Sequence, residues 1–172
     1  RVLADRMAEA RKLGYRSGIN VTATFGHAEE DFPVVLTGDY TFATDIQGHQ
    51  ARGCFCPNDP HFQEYLRAAY QLFARAKPDY IWIDDDFRLA GHGSVGQACF
   101  CDRCLQIFAQ ESGQKHTRDS LRKALCEGST AERTAMRKAW LDHNRATMRR
   151  AAQCIEQAVH EVQPKMPLAV MS

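Results

Sequence analysis

No run in this sequence approaches the roughly 20 consecutive apolar residues that a membrane span needs. The opening Arg1-Val2-Leu3-Ala4-Asp5 lacks the basic-then-apolar order of a secretory leader. Neither sign of charge dominates, since 22 Lys and Arg stand against 21 Asp and Glu. Without a net field the chain has no long-range means of recruiting nucleic acid or an anionic membrane surface, and both are set aside as partners. There is no internal repeat and no low-complexity tract. An initiator Met is also missing, and the chain closes on Leu168-Ala169-Val170-Met171-Ser172, which reads as a buried strand. Flanking sequence is therefore expected, because a strand without neighbours leaves its ladder groups unpaired. What is present is a globular composition, 44% hydrophobic and 25% charged, sufficient for one domain with its own core.

Periodicity divides the chain. Leu3, Met7 and Ala10 recur at helical spacing, which predicts a helix over about 2–13 with Gly14 at its left-handed C-terminal position. From Ser17 to Phe25 the period is two, with Ile19, Val21, Ala23 and Phe25 on one face and Asn20, Thr22 and Thr24 on a polar inner face. Residues 26–58 carry no sustained period and read as a long functional loop. Asp59-Pro60 then gives an N-cap with Pro in the first turn, and Phe62, Leu66, Ala69, Tyr70 and Phe73 form the stripe of a helix to about 76. Tyr80-Ile81-Trp82-Ile83 is a short strand that ends in Asp84-Asp85-Asp86 and opens into a glycine-containing loop to Gln97. Helices are expected at 102–111 and about 117–126. A long one follows the Ser129/Glu132 capping box, marked by Met136, Trp140, Thr147, Ala151, Ile155, Ala158 and Val162. Strands alternating with helices predict an α/β fold with a parallel sheet, the three strands being consecutive staves of a barrel.

Two constellations carry chemistry. Cys99-Phe100-Cys101-Asp102-Arg103-Cys104 places three thiols within six residues, and a structural zinc site wants four tetrahedral ligands. Cys56 and Cys54 are the candidates for the fourth, since both loops follow strand ends on one side of a parallel sheet. Disulfides, incidental thiols and an iron–sulfur cluster are the competing readings. Cys126 and Cys154 read as small apolar residues on buried helix faces. The second constellation is the Asp triplet. Alternation puts Trp82, Asp84 and Asp86 on one face, toward the barrel mouth, where two close carboxylates would leave one with a raised pKa, fit for a general acid. Such acidic strand ends also cap helices, bind Ca²⁺ or Mg²⁺, or pair with a base such as Arg88. His27, at the end of the earlier strand, faces the same mouth or is a hydrogen-bonded loop residue.

Cys56-Pro57-Asn58-Asp59-Pro60, the strand ending in the Asp triplet, and Cys99 to Cys104 followed by Phe108 and Gly113 together resemble the zinc-containing β-galactosidases of glycoside hydrolase family 42. The resemblance covers most of the chain and implies a (β/α)8 TIM barrel, of which residues 1–172 are a fragment from about the second helix to the fifth strand. It implies structural Zn²⁺ held by Cys56, Cys99, Cys101 and Cys104, tying together the loops at about 53–57 and 97–104, with Cys54 an extra thiol. The family's Asn-Glu pair, substrate-binding amide and general acid/base, falls on Asp85 and Asp86, so Asp stands at both positions. The family nucleophile, at the end of strand seven, lies beyond Ser172.

The leading expectation is a retaining, β-galactosidase-like glycoside hydrolase acting on a carbohydrate substrate. Asp86 is its catalytic acid, and Asp85, Asp84, Arg88, His27 and Trp82 contact the sugar. A non-catalytic carbohydrate-binding barrel with a structural zinc site is the alternative. A zinc-stabilised nucleic-acid module, leaning on Arg145, Arg149 and Arg150, is a third reading that the balanced charge disfavours. The resemblance further implies a trimer. Clustered reduced thiols lean toward a cytoplasmic home.

Overall fold

The computed structural model describes residues 2–27, 38–84 and 86–171. In chain order its elements are α1 (Val2–Lys12), β1 (Gly18–Val21), β2 (Phe42–Thr44), β3 (Gln50–Phe55), α2 (Pro60–Arg75), β4 (Tyr80–Ile83), β5 (Ala90–His92), β6 (Val95–Gln97), α3 (Asp102–Ser112), α4 (Arg118–Cys126), α5 (Thr130–His160) and β7 (Leu168–Val170). The fold is mixed α/β. β1, β4 and β7 form a parallel sheet in the order β1-β4-β7, with Ile19 opposite Ile81 and Ile81 opposite Leu168. Among the described residues no helix is long and apolar enough to cross a membrane.

The helices begin where the sequence supplies donors' partners. Asp59 caps α2 by accepting from the Phe62 amide at 2.9 Å, and Ser129 and Glu132 form the expected capping box on α5. Gly14 takes a φ of 82° after α1, the left-handed geometry that ends a helix.

Among the described residues, one face of the sheet is covered and the other is exposed. Ile81 and Ile83 pack into the main core with Phe62, Leu66 and Tyr70 of α2 and Ala151, Ile155, Ala158 and Val159 of α5. Each buried side chain of this size contributes about 1.5–3 kcal/mol. The alternate residues, Asn20, Tyr80 and Trp82, are exposed on the opposite face. A second core gathers Phe100, Leu105 and Phe108 of the α3 region, Leu121 of α4 and Trp140 of α5, with the Phe100 and Trp140 rings stacked at 4.5 Å. The long helix α5 therefore serves both cores.

The structure corrects several expectations. β1 stops at Val21 rather than running to Phe25, because Phe25 leaves the sheet and its carbonyl accepts from the Phe55 amide at 2.8 Å. Thr24, assigned to the polar inner face, is instead buried with its hydroxyl 2.8 Å from that of Tyr70. The stretch 26–58 is not all loop, since β2 and β3 make an antiparallel hairpin. A register shift between Phe42 and Ala43 and a left-handed Gly53 break the period-two pattern that would have announced it. Residues 28–37 of that stretch lie outside the described residues. The stretch 84–97 likewise holds a hairpin, β5 and β6, whose glycines mask its alternation. Cys126 is exposed and Cys154 half-buried, so neither is a core residue. Cys126 ends a short helix whose buried contact is Leu121, on its other side.

Candidate metal centre and the adjoining strand ends

Cys56 follows β3 directly, and Cys99, Cys101 and Cys104 run from the end of the β5–β6 hairpin into the first turn of α3. All four are buried, and their sulfurs lie within 4.8 Å of one another. Cys56 Sγ stands 3.5 Å from Cys104 Sγ and 3.5 Å from Cys101 Sγ. Four sulfurs each about 2.3 Å from one tetrahedral metal ion would be about 3.8 Å apart, so this spacing suits a common ion. None of the four is in a disulfide.

Electrostatics point the same way. Contact with Cys101 and Cys104 pushes the Cys56 thiol well above its ordinary range, while hydrogen bonding with Cys104, Cys56 and Cys99 pulls Cys101 far down. A divalent ion would relieve this crowding of thiols, because each ligand binds it as thiolate. The four cysteines can thus hold a metal ion.

Both hairpins build this pocket. Ala43, Ala51, Val95 and Ala98 pack around the sulfurs. The Phe100 amide donates to the Thr44 carbonyl at 2.7 Å, and the Cys56 amide to the Thr41 carbonyl at 2.8 Å. Gly26 and Gly53 let the β1 exit touch β3. A Cβ on Gly26, whose φ is 95°, would sit 1.8 Å from the Gly53 carbonyl oxygen. Cys54 is buried but lies outside the four-sulfur group, and its thiol donates to the Gly26 carbonyl at 3.6 Å.

The strand ends bring other candidates together. Asp86 is only 2% exposed, and its Oδ2 lies 2.5 Å from His27 Nδ1. Its Oδ1 stands 3.5 Å from an Arg88 guanidinium nitrogen. His27 itself is 53% exposed along its side chain, so it is the solvent-facing part of this group. Asp84 belongs to a separate pair, accepting from Asn20 Nδ2 at 2.6 Å. Trp82, 37% exposed, lies beside Asn20 in register on the uncovered face of the sheet. Asp85 lies outside the described residues.

Sequence reasoning assigned no role to a buried polar chain behind the metal centre. Asn58 donates to Cys104 Sγ at 3.3 Å and to Thr147 Oγ1 at 3.0 Å, and its Oδ1 accepts from Arg150 at 3.3 Å. Arg150 also donates to Thr147 Oγ1 and to Glu111, each at 3.0 Å, and Glu111 holds buried His143 at 2.6 Å. Burial pulls His143 below its ordinary value, against the opposing pull of Glu111. The one signal in the sequence was the position of Asn58, two residues after a ligand.

No protein-family model matches this chain, and no curated protein is significantly similar to it. Among solved structures, the crystal structure of β-galactosidase from Bacillus circulans sp. alkalophilus has a similar fold, with a TM-score of 0.60 at 16% identity. The match covers 98% of this chain and 28% of that one, so the chain spans little more than a quarter of its length. At this identity the likeness is one of fold: an α/β arrangement also found within a β-galactosidase.

Proposed function

We propose that this chain is part of a (β/α)8 barrel in a glycoside hydrolase related to family 42, that its four-cysteine group is a structural zinc site, and that Asp86 is the general acid/base. The observation that carries the reading is the pairing of Asp86 with His27 in the segments that follow the carboxyl ends of the adjacent parallel strands β4 and β1. Barrel enzymes gather their catalytic groups at that end. The four-thiol cluster beside them supports it, as does a fold like that of a β-galactosidase. The uncovered sheet face supports the barrel, because parallel sheets are buried on both faces and a barrel covers the second with its own staves. β1 and β7, the outer strands of the described sheet, would pair with the flanking staves.

On this reading Asp86 protonates the leaving glycosidic oxygen, and His27 and Arg88 hold its carboxyl in place. Trp82 offers an aromatic face to a sugar ring, with Asn20, Asp84 and Asp85 supplying polar contacts. The nucleophile of a retaining mechanism would come from a strand outside this chain. Bound zinc would fasten the two strand-end loops and take no part in the chemistry. A trimer, as the family resemblance implies, belongs to the same proposal.

One observation favours the second reading, a sugar-binding barrel without catalysis: Asp86 is nearly inaccessible and both its oxygens are engaged. The test uses the full-length protein and aryl β-galactosides. Asp86→Asn is expected to lower kcat by about 10²–10⁴-fold with the fold intact. Undiminished turnover in that variant removes the acid/base role. A wild type that binds galactosides but never cleaves them selects the binding reading.

A further inference from the structure

Asn58 occupies a place where its side-chain amide has no freedom. It is buried between a metal-ligand candidate on α3 and two polar side chains of α5. Its Nδ2 has two hydrogens, and both are used, on Cys104 Sγ at 3.3 Å and Thr147 Oγ1 at 3.0 Å. Its Oδ1 accepts from the Arg150 guanidinium at 3.3 Å. Exchanging the amide's oxygen and nitrogen would set an oxygen against the Cys104 sulfur and an N–H against a cation. Arg150 therefore dictates which end of the amide meets the sulfur, and it is held in turn by Thr147 and Glu111.

An N–H aimed at a ligand sulfur fixes how that sulfur is presented to a metal ion. Groups behind a ligand that fix its orientation and charge typically matter 10–100-fold in metal affinity. The ligands themselves come from two hairpin ends and one helix start, 43 residues apart in sequence at Cys56 and Cys99, so something must hold their two halves in register.

We propose that Asn58 is a positioning residue for the metal centre, locked by Arg150, so that the long helix α5 presets the four-cysteine group for a metal ion. The inference does not depend on the glycosidase reading; it needs only that the group binds a metal. It also predicts a division of labour along α5, in which Thr147 and Arg150 serve the metal and the apolar residues beyond them serve the core.

The experiment measures Zn²⁺ affinity of the full-length protein by competition with a chelating indicator, together with the thiolate-to-metal absorption band after Co²⁺ substitution. Asn58→Asp keeps the side chain's shape but sets a carboxylate oxygen against Cys104. It is expected to weaken Zn²⁺ binding by about 10–100-fold and to alter the Co²⁺ band. Arg150→Met frees the amide to turn and should weaken binding in the same direction; because Arg150 is partly exposed, this variant serves if Asn58→Asp does not fold. Affinity within twofold of wild type in a folded variant, with an unchanged Co²⁺ band, overturns the proposal. A wild type that binds no Zn²⁺ or Co²⁺ overturns it together with the metal reading, and leaves the glycosidase reading to its own kinetic test.

Discussion

Cys54 and Cys56 are two residues apart, yet only the second reaches the four-sulfur group. Elemental analysis is expected to find one metal ion per chain in wild type and in Cys54→Ser, and none in Cys56→Ser. Metal retained by Cys56→Ser would show that the centre is wrongly drawn. A second prediction concerns the β2–β3 turn, where Asp45 accepts from the amides of Gln47 and His49 and from the His49 ring. Burial pushes its carboxyl up, but these hydrogen bonds outweigh burial and hold it below the ordinary carboxylate value. A carboxylate lowered on folding stabilises above its unfolded value, near about 3.9, and that contribution is lost as pH falls through the folded value. Asp45→Asn should therefore destabilise the protein by about 1 kcal/mol at pH 7. The Tm gap to wild type should narrow as pH falls toward about 3. A gap constant from neutral to acid pH would contradict this. At this scale the four-cysteine group was legible, because three of its thiols share a short stretch of chain. The pairing of Asn58 with Arg150 was not, since 92 residues separate them and neither residue type announces the other.

Elements with one strong local period were readable, and those whose period is interrupted were not. The stripe Trp140, Thr147, Ala151, Ile155 and Ala158 marked α5 correctly, and its capping box fixed where it starts. The two hairpins escaped because left-handed glycines and a register shift disturb their alternation. They are nonetheless the elements that shape the metal centre, one delivering Cys56 and the other Cys99. Between α2 and α5, the sealed contact of Leu66 with Ile155 and its neighbours should respond as a core does. Ile155→Ala is expected to cost about 2–5 kcal/mol in denaturant unfolding, with metal content unchanged. A loss under 1 kcal/mol would mean that the α2–α5 seam is not tightly packed.

For the whole molecule, the alternation of strands and helices was enough to predict a parallel α/β sheet, and β1-β4-β7 is that sheet. What the sequence could not disclose is how unequal its two faces are. One is sealed by α2 and α5, while the other displays Asn20 and Trp82. The apolar pattern of Ile81 and Ile83 reveals that something covers them, but the exposed face reads as polar whether it meets water or a barrel interior. Helix α5, 31 residues and about 46 Å long, spans the main core, the polar chain behind the metal centre and the second core.

That second core also contains an optical gauge. Phe100 stands between two of the clustered cysteines, and its ring lies nearly parallel to the indole of Trp140, at 15°. Trp140 is 5% exposed, whereas Trp82, the other tryptophan, already meets solvent at 37%. Stripping the ion should loosen Phe100, admit water to the Trp140 indole and move the intrinsic emission to longer wavelength, while Trp82 contributes a constant background. A Trp140→Phe protein should lose the shift but keep the background. Metal loading of the four-cysteine group, as proposed, would then be followed in real time from the protein's own light, without a dye or a substrate.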